Sequence, residues 1–161
     1  MEPLILNLAN EDRTLELGKI LANFLSKGLV VGFKGEIGMG KTALIRACLQ
    51  ALGVHSAIKS PTFTLVESYS LPSFEVHHFD LYRLTSIYDL EDLGFRDYLA
   101  SDAICLIEWP EKAPNIIPFI DFMIEFKLNE PGRILKMHGH SDIGRAFLKL
   151  FQRELCKDWW F

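Results

Sequence analysis

The stretch GEIGMGKT, Gly35 to Thr42, constrains this chain more than any other feature. Ahead of it, LVVGFK (29–34) is a compact apolar run that reads as a buried parallel strand. Behind it, TALIRACLQAL reads as a helix stopped by Gly53. Strand, glycine loop and helix in that order form the setting in which successive backbone N–H groups make an anion nest and the helix adds its positive end. Gly35, Gly38 and Gly40 permit the turns and keep the backbone close to a phosphate chain. Lys41 supplies a point charge for β- and γ-phosphates, and Thr42 a hydroxyl for Mg²⁺. Glu36, Ile37, Met39 and Ala43 complete the expected nucleotide-binding run.

The rest of the chain fits around that unit. Leu4 to Leu8 reads as an edge strand. Asn10 is placed to cap a helix whose apolar residues Leu17, Ile20, Leu21, Phe24 and Leu25 keep helical spacing, with Gly28 closing it. FTLVESYSL and FEVHHFD read as a strand pair around Leu71-Pro72-Ser73, and SIYDLEDLGFRDYL as a helix interrupted at Gly94. AICLIEW is a second buried strand, ending in an acid. A hairpin around Pro131-Gly132 and an amphipathic helix, DIGRAFLKLFQREL, close the chain. These elements predict one α/β domain over 1–161, a P-loop NTPase-like sandwich with a central parallel sheet and added antiparallel strands.

Composition narrows the partners. Of 161 residues about half are hydrophobic, enough for a real core. The net charge of −4, with no basic run, argues against autonomous binding of DNA or RNA, which draws its affinity from neutralised phosphates. Three widely spaced cysteines without C-x-x-C argue against a disulfide framework or zinc site. The N-terminus meets acids early, unlike a signal peptide, and no apolar run is long enough to span a membrane. The expected location is the cytoplasm, with no membrane partner.

A nucleotide–Mg²⁺ site also needs acids at strand ends. Asp80 follows VHHF and is a candidate metal ligand, direct or through water, with a capping role as the alternative. Glu108 ends ICLI, the layout of a second acidic motif that orients or deprotonates an attacking water; it is also a candidate metal ligand. Thr62, in SPTF, is placed to sense a γ-phosphate through Mg²⁺. Lys41, Thr62 and Glu108 are thus the candidate catalytic residues, and Thr42, Asp80 and Glu108 the candidate metal ligands. His77 and His78 point to opposite faces of one strand, which is poor geometry for a shared metal. With His138 and His140 they read as structural. Trp109 stays open between stacking on adenine and packing in the core. Trp159 and Trp160 stay open between core packing and docking a partner.

The motifs GEIGMGKT, SPTF, HFDLYRL, LGFRDYL and IEWPEK, in this order, resemble the TsaE family (formerly YjeE), from about Thr14 to Arg133. The resemblance implies an ATPase of bacterial tRNA threonylcarbamoyladenosine biosynthesis that binds ATP/ADP and Mg²⁺ and acts with TsaB and TsaD. TsaD makes the transfer onto the adenosine beside the anticodon, so tRNA is met only indirectly, through the complex. Lys41 and Thr42 match the family's nucleotide-binding positions. Thr62, Asp80 and Glu108 match its other polar positions. Glu36, Ile37 and Met39 depart from the more usual Asp, Leu and Ala without replacing any backbone donor. The alternatives are a P-loop small-molecule kinase, a GTPase switch and a non-hydrolysing nucleotide binder. The strand and helix ahead of the loop, the absence of an arginine cluster and the absence of N-K-x-D weigh against the first two.

Overall fold

The structure, a computed structural model, describes residues 1–160. In chain order the elements are β1 (Leu4–Leu8), α1 (Glu11–Ala22), β2 (Val30–Lys34), α2 (Lys41–Leu52), β3 (Val66–Ser70), β4 (Glu75–Asp80), α3 (Ile87–Leu93), α4 (Phe95–Ala100), β5 (Ile104–Glu108), β6 (Phe122–Asn129), β7 (Gly132–Gly139) and α5 (Asp142–Glu154). The strands form one seven-stranded sheet in the order β1-β7-β6-β2-β5-β4-β3. β2 runs parallel to β5 and β6, and β4 parallel to β5. β3, β7 and β1 join antiparallel at the flanks. The predicted parallel centre with antiparallel additions is the observed architecture.

β2 is apolar on both faces because both are covered. Val31 and Phe33 share a core with Leu17 and Leu21 of α1, Leu44 and Leu49 of α2, and Phe147 and Phe151 of α5. Val30, on the opposite face, packs with Leu90, Phe95 and Leu99 of α3 and α4 and with Ile107 of β5. Burial of this kind contributes about 1.5–3 kcal/mol per large side chain. It also fixes the strand from which the glycine loop springs.

Local sequence sets the element ends. The Asn10 side chain accepts the Arg13 N–H and starts α1 as expected. That helix stops at Ala22, short of the apolar periodicity, because the Asn23 and Phe24 N–H groups reach back only three residues, to Ile20 and Leu21. Gly94 splits the predicted single helix into α3 and α4. β3 starts only at Val66, since Leu65 turns left-handed (φ 66°) and its N–H bonds back to the Pro61 carbonyl. The second hairpin turns at Pro131, with Asn129 paired to Gly132.

Asp121 ties distant segments together. Its Oδ2 accepts the Val30 N–H (2.9 Å), and its Oδ1 accepts the Ser141 hydroxyl (2.6 Å) at the start of α5. Gly144 in the first turn of α5 lies so close that a Cβ there would overlap the Asp121 carbonyl. The chain then returns to β1. Trp159 is buried beneath the Arg13 guanidinium (3.6 Å to the ring centre), which also donates to the Asp158 carbonyl (3.1 Å). Trp160 makes an antiparallel bridge to Leu6. The core-packing alternative therefore holds for Trp159, while Trp160 remains 44% exposed.

Candidate functional site

The parallel strands β2, β4 and β5 all end at the same edge, and their C-terminal ends carry the candidate residues there. Asp80 and Glu108 are register partners at the ends of β4 and β5, and the loop leaves β2 beside them. α1 and α5 are capped by Asn10 and Ser141, whereas α2 begins at Gly40 with no side-chain cap and no acid in its first turn. Its first N–H groups have no intrahelical acceptor and are left facing the loop, as an anion site requires. Gly40 takes φ 103°, a conformation that disfavours side chains. Gly35 is held against Phe126, where an added Cβ would sit only 3.0 Å from the Phe126 Cβ.

Lys41 is 5% exposed, and its Nζ donates to the carbonyls of Gly35 and Glu36 (2.8 Å to Glu36) while lying 4.4 Å from the centre of the Trp109 ring. Burial lowers its pKa, opposed by the surrounding carboxylates, Glu108 foremost. The amine is thus held at the mouth of the loop by weak carbonyl acceptors that a phosphate can replace.

Thr42 Oγ1 donates to Glu108 Oε1 at 2.8 Å. Glu108 is only 2% exposed, and its second oxygen, Oε2, sits 2.7 Å from His78 Nε2. Asp80 accepts the Tyr82 N–H at 3.0 Å, a local turn rather than the helix cap that was its alternative. Burial raises its pKa, while the Tyr82 N–H works in the opposite direction. Thr62 Oγ1 lies 2.7 Å from Ser60 Oγ and 3.4 Å from Asp80 Oδ2. Loop helix, SPTF segment and both acids therefore converge. They line a cleft of about 380 Å³ together with Ile37, Gly38, Gly40, Ala43, Tyr82 and Trp109. Glu36, Gly35 and Met39 face a neighbouring hollow on the other side of the loop.

Two features escaped the sequence reading. His78, which reads from sequence as structural, is buried and bonded to Glu108. His77 faces Ser68 and Tyr98 instead. A second cavity, of about 280 Å³, adjoins the loop at Gly38, Met39 and Gly40. Asn10, Thr14 and Arg133 line it, brought together by the pairing of Leu8 with Arg133. Trp109 packs against Lys41 and Tyr82 (5.0 Å between ring centres). It has a left-handed backbone (φ 57°), as does Leu65, the only other non-glycine residue of that kind among the described residues. Both adjoin the site, where strained backbone tends to concentrate.

The donors fit Mg²⁺ bound together with a nucleotide. Among the described residues no three His, Cys, Asp or Glu side chains converge as a self-sufficient metal site. A hydroxyl and one or two carboxylates suffice where phosphate oxygens and waters complete the shell. No helix among the described residues is long and apolar enough to cross a membrane.

The family model of the threonylcarbamoyl adenosine biosynthesis protein TsaE matches residues 8–135. A Haemophilus influenzae protein named tRNA threonylcarbamoyladenosine biosynthesis protein TsaE is 37% identical over 156 residues, 94% of this chain and 99% of the relative. Proteins of the same name from Borreliella burgdorferi (32%, covering 84% of this chain and all of the relative) and Bacillus subtilis (30%, 73% of each) are also similar. The crystal structure of Bacillus subtilis YdiB superimposes with a TM-score of 0.78 at 22% identity, covering 94% of this chain and 95% of that one.

Proposed function

The chain belongs to the TsaE family, and from that premise we propose that it is the ATP-hydrolysing component of tRNA threonylcarbamoyladenosine modification, acting with TsaB and TsaD in the cytoplasm. The observation that carries the ATPase reading is the Thr42–Glu108 contact of 2.8 Å at the foot of the loop helix. It sets a hydroxyl and a carboxylate side by side where a nucleotide's β- and γ-phosphates enter.

In this reading the loop backbone and the start of α2 hold the phosphate chain, and Lys41 exchanges its two carbonyl acceptors for phosphate oxygens. Thr42 and Glu108 would hold Mg²⁺, with Asp80 a further donor directly or through water. Bound there, the cation would neutralise charge on the β- and γ-phosphate oxygens. Glu108 and Asp80 are the carboxylates available to orient the attacking water. Thr62, tied loosely to Asp80, reports the γ-phosphate by shifting with its segment. The adenosine goes into the second cavity, between Thr14 and Arg133, because that space opens onto the loop away from the acids.

Lys41 is the one cation among the described residues lining the cleft. Arg83, in the loop that follows β4, stacks on Phe63 (4.4 Å). A transition-state arginine is worth about 10³–10⁵ in rate in related NTPases, so slow turnover of the isolated chain follows. The test is ATP hydrolysis by the chain alone, with TsaB and TsaD, and with tRNA. The expected result is weak basal activity, raised substantially by TsaB–TsaD and not by tRNA alone. Lys41→Ala should weaken ATP binding at least about tenfold, the loss of one charge-assisted bond. Rapid turnover without partners, or phosphoryl transfer to a small acceptor, would overturn the proposal in favour of an autonomous ATPase or a kinase.

A further inference from the structure

We propose that His78 is the positioning residue of the metal site: its Nε2–H fixes Glu108 so that one carboxylate oxygen is committed to the fold and the other is presented to Thr42 and the cation. The inference rests on the reading of Thr42 and Glu108 as Mg²⁺ donors.

His78 lies on β4, 1% exposed, opposite Leu106 in the parallel pairing, two residues short of the Asp80–Glu108 pair. Its Nε2 is 2.7 Å from Glu108 Oε2. A carboxylate can only accept, so the proton of that bond sits on Nε2. Nδ1 is buried and has no partner among the described residues. The one proton on Nε2 is all the bond to Glu108 requires of the ring. Glu108 therefore has its two oxygens divided between partners on opposite sides, His78 and Thr42.

The need for such a device comes from Lys41. Its amine is close enough for Glu108 to be the largest charge acting on it. A carboxylate free to swing would collapse onto that amine and withdraw both groups from the nucleotide. No ion pair joins them among the described residues: Lys41 bonds to Gly35 and Glu36, and Glu108 to His78 and Thr42. Carboxylates that ligate metals are generally held by such an outer hydrogen bond, and losing it typically costs 10–100-fold in metal affinity or activity.

The experiment measures binding of a fluorescent ADP analogue to the full chain with EDTA and across a Mg²⁺ titration. It compares wild type, His78→Leu, which keeps bulk without a donor, and His78→Gln, whose amide reaches the same oxygen. The ¹⁵N imidazole spectrum of the wild-type protein is recorded alongside. His78→Leu is expected to raise the Mg²⁺ concentration needed by about 10–100-fold while leaving affinity in EDTA unchanged. His78→Gln is expected to restore most of that loss, and the spectrum to show a protonated Nε2. A normal Mg²⁺ requirement in folded His78→Leu overturns the proposal, as does His78→Gln failing as badly as leucine. Should the leucine variant not fold, an Nε2 without its proton in the wild type overturns it equally. If Mg²⁺ has no effect on nucleotide binding in the wild type, the underlying metal-site reading is what fails.

Discussion

Replacing Glu108 with glutamine separates the structural from the chemical demands on one buried carboxylate. The side chain accepts two hydrogen bonds, from Thr42 Oγ1 at 2.8 Å and from the His78 ring at 2.7 Å. An amide fits the same space but brings one acceptor and one donor. Turning the amide nitrogen toward His78 would push the ring's proton onto the unpartnered Nδ1, at about 1–3 kcal/mol. Turning it toward Thr42 costs less, because a hydroxyl accepts as readily as it donates and can aim its own proton into the cleft. The second arrangement should win. Two bonds to an ion, about 1.5–3 kcal/mol each, become two neutral bonds of about 0.5–1.5. The relief of no longer burying a charge offsets part of that loss. A net loss of about 1–2 kcal/mol lowers Tm by about 2–8 °C in a chain of this size. ATP binding at saturating Mg²⁺, carried by the loop and Lys41, should stay near wild type, with a higher Mg²⁺ concentration needed to reach it. Hydrolysis in the presence of TsaB and TsaD should fall by about 10²–10⁴, the contribution of a positioned general base. Thermal melts, nucleotide calorimetry and phosphate release measure the three quantities. Retained hydrolysis would refute the role given to Glu108. Lost nucleotide binding at a normal Tm would refute the division of labour between acid and loop.

Three other expectations follow from the packing. Trp159→Ala removes a buried indole and its stacking contact with Arg13; it should cost about 3–5 kcal/mol in urea unfolding, and a loss below about 1 kcal/mol would show that the C-terminal segment is not docked. Burial pushes the Cys48 and Cys105 thiols up to about 12, while Cys156 is exposed. A chromogenic disulfide reagent should therefore titrate one thiol quickly in the native protein and all three only after unfolding. Burial lowers the His77 pKa, opposed in part by Glu75, so the folded chain takes up that proton less readily than the unfolded one. Stability should therefore fall as pH drops below about 6.5; His77→Gln should flatten that part of the Tm–pH curve, and an unchanged slope would count against the assignment.

The loop, its strand and its helix were legible because one short motif demands all three together. Asp80 and Glu108 were legible because each directly follows an apolar strand. The role of His78 was not: two adjacent histidines on a strand face opposite ways, and only the β4–β5 register decides which of them meets Glu108. The second cavity was equally hidden. Thr14 and Arg133 lie far apart in sequence and meet only because β1 pairs with β7. The late start of β3 depends on Leu65 adopting φ 66°, against the ordinary preference of leucine and in favour of a hydrogen bond to Pro61.

Asp121 bears on the order in which the chain can assemble. The strand that launches the glycine loop donates a hydrogen bond from its first residue to a carboxylate 91 positions downstream, and its two neighbours in the sheet, β5 and β6, are both distal in sequence. Contacts of that span must wait for large loops to close, which slows folding. During synthesis, which proceeds from the N-terminus, the GEIGMGKT segment emerges long before β5, β6 and α5 can hold it. The nascent chain therefore exposes its glycine loop as an unsupported turn, and the anion site proposed there is completed late, in the same event that seats the last helix on Asp121.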